Sequence, residues 1–535
     1  MSFADLISAT NDIIWAIPLV ALCLLAGLYF SIRTGFVQVR GIPEMIKQLI
    51  GGEKSADGTS SFQSLMMSLA NRVGMGNIGG VATAIAFGGP GAVFWMWMVA
   101  FLGAATSFVE STLGQIYKEK DPDTGEYRGG PAYYFEKAYK HKAPGLSLAF
   151  GILFACVTIL AMSFFLPGVQ ANGVSSAMNS AWGFPTWATA IGMVILLAFI
   201  VVGGVKRIAM FAAFVVPPMA ILYILAALLV FFVNFDQIPH VFGEIFSGAF
   251  GMHAIYGAII GLAIKWGVQR GIYSNEAGQG TGPHHAAAAE VSHPAKQGFV
   301  QAFSVYIDTL FVCTATAFII ISTDMYTVFR DETFPAEGAP LYVGEIGTDV
   351  APGPGFVQNG FDTFVPGAGG TFVAIALAFF AFTTIVAYYY MAEVNVAYLA
   401  RRLPNPTLRR VVIRFLQGLI LISVAYGAIT SEGSAWGLGD IGVGSMAWLN
   451  IVGILIIQGP ALKALKDYYQ QKKQGLDPQF DPRKLGIHGA EFWENRADGL
   501  VLQGRTGKDV KDEAAEMAAR REDNDPVGGP GSHSA

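Results

Sequence analysis

The run Ala70-Asn71-Arg72-Val73-Gly74-Met75-Gly76-Asn77 sets two glycines and three polar side chains inside an apolar stretch of membrane length. A helix broken there releases backbone N–H and C=O groups. Each group left unpaired in hydrocarbon costs several kcal/mol, so such backbone survives only where it is buried in protein or lines a polar cavity. That cavity is the expected ligand site. A second run, Gly267-Val268-Gln269-Arg270-Gly271-Ile272-Tyr273-Ser274-Asn275-Glu276-Ala277-Gly278, is interrupted in the same way. Other chemistry is poorly supported. His284-His285, Glu290 and His293 are metal-ligating types, but their spacing fits no zinc motif. There is no Gly-x4-Gly-Lys-Ser/Thr phosphate loop and no matched nucleophile and base, which argues against an ATP-driven pump and an enzyme. No cofactor is expected.

The elements that must position these runs are membrane helices. The chain has 535 residues, of which 53% are hydrophobic and 14% charged, too apolar for an ordinary soluble protein. The net charge of -5 and the absence of a continuous basic stripe argue against nucleic acid as a partner. No obligate protein partner is evident. Cys23, Cys156 and Cys313 each sit alone in an apolar run and read as buried packing residues. The N-terminus lacks a basic n-region and a cleavage site, so its first apolar run reads as a retained helix.

Apolar runs predict eleven membrane helices: 11–32, 62–87, 92–117, 146–171, 186–203, 208–234, 252–280, 297–322, 371–399, 411–430 and 441–465. Of the 34 Lys and Arg, Arg72, Lys265 and Arg270 fall within helices and Arg330 alone falls on one side. All the others collect on the opposite side, which the positive-inside rule makes cytoplasmic. The N-terminus is then outside and the C-terminus inside. The expected organisation is a peripheral helix and cytosolic connector (1–61), a first five-helix repeat (62–234), a second (235–465) with an acidic external loop (323–370), and a cytosolic tail (466–535) disordered at its end. Around Phe492-Trp493 a solvated tail is favoured over a docked one. The two interrupted spans open the two halves and run in opposite directions. Such a pair at matching positions points to the midplane site of a secondary transporter with inverted repeats.

Several stretches carry a resemblance. Val73-Gly74-Met75-Gly76-Asn77-Ile78-x-Gly80-Val81, Gly88-Gly89-Pro90-Gly91, Gly129-Gly130-Pro131-Ala132-Tyr133-Tyr134, Ser274-Asn275-Glu276-Ala277-Gly278, and His293-Pro294 through Asp308 resemble the alanine or glycine:cation symporters, the sodium:alanine symporter family. The match covers nearly the whole membrane part. It implies an all-α integral membrane protein of the leucine-transporter fold, with a 5+5 inverted repeat, two broken helices and one extra N-terminal helix. It also implies sodium as coupling ion and a small neutral amino acid as substrate (alanine, glycine, serine or D-alanine), taken up by alternating access across a bacterial inner membrane.

On that resemblance the substrate carboxylate meets Gly74 and the N–H groups of Met75, Gly76 and Asn77 at the start of a half-helix, where anions are favoured. The ammonium meets carbonyls released around Trp266, Gly267 and Gly271, while Gln170 and Tyr388 line the pocket. Sodium is held by the hydroxyls of Thr383 and Thr384 and the carbonyls of Ala70, Val73 and Phe380. Arg72 stands where the leucine-transporter fold has a small residue contributing to a second sodium site, so that site is not carried over. Glu110, Asp308, Glu276 and Glu393 are candidate partners for Arg72, since an Arg near the bilayer centre must be paired or face water. Proton coupling through Asp308 or amino acid exchange is the alternative within the class; a channel or a membrane-embedded enzyme is more distant.

Overall fold

The computed structural model describes residues 3–50, 59–121, 124–201, 205–251, 259–330, 338–403 and 406–497. The start of the seventh expected helix and the end of the tail lie outside them. The described chain is helical apart from two short antiparallel hairpins, Glu119–Lys120 with Tyr127–Arg128 and Thr327–Val328 with Tyr342–Val343.

Among the described residues six helices are long and apolar enough to cross a membrane, or up to eight if each of two bent pairs is one span. The gap from eleven arises largely where helices are interrupted. Ser61–Arg72 and Val81–Gly88 are halves of one expected span, and of another, 252–280, Ile260–Asn275 is the helical part among the described residues. Each piece alone is too short to cross hydrocarbon about 30 Å thick at 1.5 Å per residue.

Burial separates the helices into two groups. Gly91–Ile116 packs against Ile260–Asn275 and Pro294–Val305, and its second half is buried on every side. Thr186–Val201 and Pro406–Ile429 instead present an apolar outer face, with Phe199 and Phe415 both 71% exposed. A belt of such residues around a polar interior is the pattern of a chain solvated by lipid. Cys156 lies on that outer surface, which corrects its assignment as a buried residue.

The segment after the last long helix, Glu432–Ile457, is docked. Helix Gly459–Lys473 is followed by a strap ending in Glu491–Ala497, with Phe480, Ile487, Phe492 and Trp493 buried. The Trp493 indole N–H donates to the Gln115 carbonyl at 2.9 Å, and the Lys118 ammonium lies 4.5 Å from the Phe492 ring centroid. Docking therefore replaces the solvated arrangement expected around Phe492-Trp493. Aromatic rings and an ammonium met from Gly91–Ile116 and its following hairpin, which the tail's polar composition did not reveal.

Beside the strap is an ion network. Glu119 pairs with Lys137 at 2.9 Å and Arg401 at 2.7 Å, and Glu136 pairs with Arg402 at 2.7 Å. Burial pushes the Glu119 carboxyl up, but Lys137 and Arg401 outweigh it and hold the group below its ordinary range. Glu136 is likewise held low, burial being outweighed by Tyr398, Arg401 and Arg402.

Candidate functional site

The first break is built by its sequence. A reciprocal capping box between Ser60 and Gln63 starts the helix Ser61–Arg72. Val73 is extended at φ -78° and ψ 99°, and helix resumes in a wide turn, Gly76–Gly80, before Val81–Gly88. The freed Met75 N–H donates to Gln170 Oε1 at 2.9 Å and the Gly74 N–H to Asn77 Oδ1 at 2.8 Å. A Cβ at Gly74 would stand 2.7 Å from both Gln170 Oε1 and Thr384 Oγ1. Glycine there lets three helices meet. The Gln170 amide reaches the Tyr388 hydroxyl at 3.4 Å, so Gly74, Met75, Gln170 and Tyr388 share one neighbourhood.

On the other side of Gly74, the Thr384 hydroxyl lies 2.9 Å from the Ala70 carbonyl, 3.2 Å from Val73 and 2.9 Å from Phe380. One hydroxyl proton serves one acceptor at a time, so three convergent carbonyls leave lone pairs in excess. Uncharged oxygens crowded in this way suit a hard monovalent cation. Thr383 bonds back to the Phe380 carbonyl at 2.9 Å, within its own helix. Four of the five oxygens expected at a sodium site thus gather at Thr384, which crosses between helices, while Thr383 is linked to them only through the Phe380 carbonyl.

Asp308 joins the two broken helices. Its carboxylate accepts from Asn77 at 2.6 Å, Ser274 at 2.8 Å and Thr309 at 2.7 Å. Asn77 is thus engaged by Gly74 and Asp308. Cys313, which its sequence setting marked as packing, lies 3.3 Å from Asn77 Nδ2 and 3.2 Å from Ser274 Oγ, within this polar cluster. Gly76 faces Tyr273 and Ser274, since a Cβ there would come within 3.1 Å of the Tyr273 ring.

The second break is displaced from the position expected. Trp266, Gly267 and Gly271 lie inside the continuous helix Ile260–Asn275, so their carbonyls are not released by unwinding. These glycines serve packing. A Cβ at Gly267 or Gly271 would strike Ala92 and Trp95, or Val99 and Met96, of the neighbouring helix, the close approach that small residues allow in membranes. The helix opens at Glu276, left-handed at φ 57°, and remains open through Gly278 (φ 87°) and Gly280 (φ 86°). Glu110 accepts the N–H groups of Gly278 and Gly280, both at 3.2 Å, and the Asn450 amide at 2.7 Å. The glycine spacing signalled an unusual helix but could not separate a packing stripe from a break.

The intramembrane cations have defined neighbours. Arg270 makes a two-pronged pair with Asp440 at 2.7 and 2.9 Å and is stacked 4.1 Å from the Trp436 centroid and 4.9 Å from that of Trp266. Asp440 is absent from the expected site because the eleventh expected helix begins at residue 441; the structure places Asp440 inside Glu432–Ile457, where a lone Asp in an apolar helix signals a buried partner. The pair borders a cavity of about 610 Å³ also lined by Lys265, Gln269 and Glu432. The Tyr273 ring is tilted 55° to that of Trp436, which lines the cavity, with centroids 4.9 Å apart, and it also lies against Gly76. Arg72 donates to the Gln301 carbonyl at 3.1 Å and to Ser304, with Glu110, Glu276 and Asp308 within reach of its field. Glu393 is directed elsewhere, 3.7 Å from Arg128. His284 bonds to Asn395 at 2.8 Å, and His293 caps the helix Pro294–Val305 and meets Asp467 at 3.4 Å.

Several apolar helices around an interior of broken backbone, buried charges and convergent oxygens define a multi-pass membrane protein. Residues 1–482 match the Sodium:alanine symporter family. The chain belongs to that family; it is a transporter, not an enzyme. It is similar to the putative sodium/proton-dependent alanine carrier protein YrbD of Bacillus subtilis (strain 168), at 54% identity over 92% of this chain and 98% of that one. The sodium/proton-dependent alanine carrier protein of Bacillus sp. (strain PS3) is 47% identical over 84% of this chain and 97% of its own length. The probable sodium/glutamine symporter GlnT of Bacillus subtilis (strain 168) is 39% identical over 91% of this chain and 95% of its own.

Proposed function

We propose that the protein imports a small neutral amino acid, alanine or glycine, together with sodium across a bacterial inner membrane, with its N-terminus outside and its C-terminus in the cytoplasm. The observation that carries this reading is the convergence of Ala70, Val73 and Phe380 carbonyls on Thr384, one glycine away from the Met75 N–H and Gln170. Sodium there ties the first broken helix to Gly369–Ala400. Fixing Val73 also fixes Gly74 and the Met75 N–H, so the ion pre-orders the groups offered to a carboxylate. Two ligands that stabilise the same arrangement bind cooperatively, which is the physical content of coupling. The halves 62–234 and 235–465 then move around this site, with residues 1–61 at the periphery.

A small substrate is supported by the close neighbours of the backbone at Gly74 and Gly76, which are Gln170, Thr384, Tyr273 and Ser274. Relatives named for alanine and for glutamine make this the reading to test. Purified protein in proteoliposomes is given labelled alanine or glutamine under an inward sodium gradient, an inward proton gradient, or neither. Alanine accumulation that requires sodium is the expected result. Accumulation of glutamine alone overturns the substrate, and accumulation driven by protons alone overturns the role given to Thr384.

A further inference from the structure

Three carboxylates and one guanidinium share the buried interior. Glu110 and Asp308 are fully buried, Glu276 is 1% exposed and Arg72 is 3% exposed. Arg72 acts on all three acids. The other titratable groups facing Glu276 are Tyr273 on its own helix and Tyr388 on Gly369–Ala400, and neither supplies a positive charge. Nearby His285 has both ring nitrogens buried without a hydrogen-bond partner, a setting that would leave the two N–H donors of an imidazolium unpaired. Arg72 and one sodium ion at Thr384 offset two of the three carboxylates. A further unpaired charge in such surroundings is removed by taking up a proton.

The hydrogen bonds indicate which acid takes it. Donors to a carboxylate favour its ionised form. Glu110 has two backbone N–H groups and the Asn450 amide, and Asp308 has Asn77, Ser274 and Thr309. Glu276 accepts from Asn71 and from Thr281. Asn71, itself 2% exposed, has its amide oxygen buried without a donor. With the amide turned over, this oxygen takes the place where Nδ2 now faces the carboxylate, and it accepts from an O–H on Glu276. The location matters, because Asn71 lies just before the first break and Glu276 opens the second.

We propose that Glu276 is a proton-binding site, its carboxyl carrying a proton while Asn71 and Thr281 hold the two broken helices together. The charge count rests on the sodium reading of Thr384. The proton comes from hydronium in the aqueous path and returns to water, and only an O–H bond forms and breaks. The acid form is present at low pH and lost as pH rises, so alkaline conditions place an unpaired charge between the broken helices and loosen them.

Infrared difference spectroscopy of the full-length protein in lipid, in H2O and D2O across a pH series, reads the protonated carboxyl directly. The expected result is a carbonyl band of a buried acid that shifts in D2O and disappears in Glu276→Gln, whose sodium-driven alanine uptake no longer falls on the alkaline side. A band at full strength in Glu276→Gln overturns the proposal. So does a folded Glu276→Gln protein whose sodium-dependent alanine affinity drops by more than about tenfold, since Glu276 would then act as an anion. If Glu276→Gln fails to fold, Glu276→Asp decides, because the band should move without vanishing and an unmoved band is contrary. If the wild type takes up no alanine, the functional reading fails while the band still tests the proton site.

Discussion

The hydroxyl of Thr384 reaches the carbonyl of Ala70 at 2.9 Å although 314 residues separate them in the chain. This contact, with the Val73 carbonyl at 3.2 Å, joins a long uninterrupted helix to a broken one. Thr384→Ala removes the hydroxyl and leaves the helix intact. The sodium concentration needed for half-maximal uptake is expected to rise about tenfold or more, the equivalent of about 1.4 kcal/mol, while Thr384→Ser stays near wild type. Unchanged sodium activation in the alanine variant would remove Thr384 from the site.

Gly74 lies between the two halves of the proposed chemistry, since its missing Cβ would stand 2.7 Å from both Gln170 and Thr384. Gly74→Ala should therefore weaken alanine binding and sodium binding together. Isothermal titration of each ligand in the presence of the other measures this, and a defect confined to one ligand contradicts the shared position.

Gly76→Val should abolish substrate binding, because branches on Cβ would enter space bordered by Tyr273 at 3.1 Å and Ser274 at 3.2 Å. Sodium binding is expected to survive, as Gly76 touches none of the Thr384 oxygens. Normal alanine affinity in this variant would refute the carboxylate assignment.

The Arg270–Asp440 pair is buried, two-pronged and stacked between indoles. Removing one member strands the other charge, at a cost of about 3–5 kcal/mol. Asp440→Ala should lower the thermal midpoint sharply. Arg270→Lys should not rescue the fit, because a point ammonium reproduces neither the fork nor the stacking. A thermal scan showing wild-type stability for either variant is the contrary result.

Acid should loosen the network around Glu119 and Glu136. Their carboxyls are held below the ordinary range by Lys137, Arg401 and Arg402. A depressed folded value contributes stability that is complete above the unfolded value of about 4.3 and is lost as pH falls through the folded one. Hydrogen exchange of the hairpin Glu119–Lys120 and Tyr127–Arg128 should speed up on that acid side, and Glu119→Gln should exchange fast already at neutral pH.

What was legible in the sequence was the class of solvent and the first break. Apolar runs of membrane length, with Lys and Arg gathered in the loops, follow from the cost of placing charge in hydrocarbon, which acts residue by residue and leaves a linear trace. The break at Val73-Gly74 was legible for a similar reason, because glycine and polar side chains inside an apolar run have few tolerable explanations. Motif resemblance supplied Thr383, Thr384, Gln170 and Tyr388, which spacing alone does not connect to Ala70 or Met75.

The tertiary structure decided the rest. Gly267 and Gly271 proved to be a packing surface and the break moved to Glu276–Gly280, because whether a glycine unwinds a helix or admits a neighbour depends on what stands opposite it. The partners of Arg270, Arg72 and Trp493 likewise come from distant segments. Charge pairing, close packing and convergent carbonyls depend on distance in space, and a linear sequence records which groups need partners but not which partners the fold brings to them.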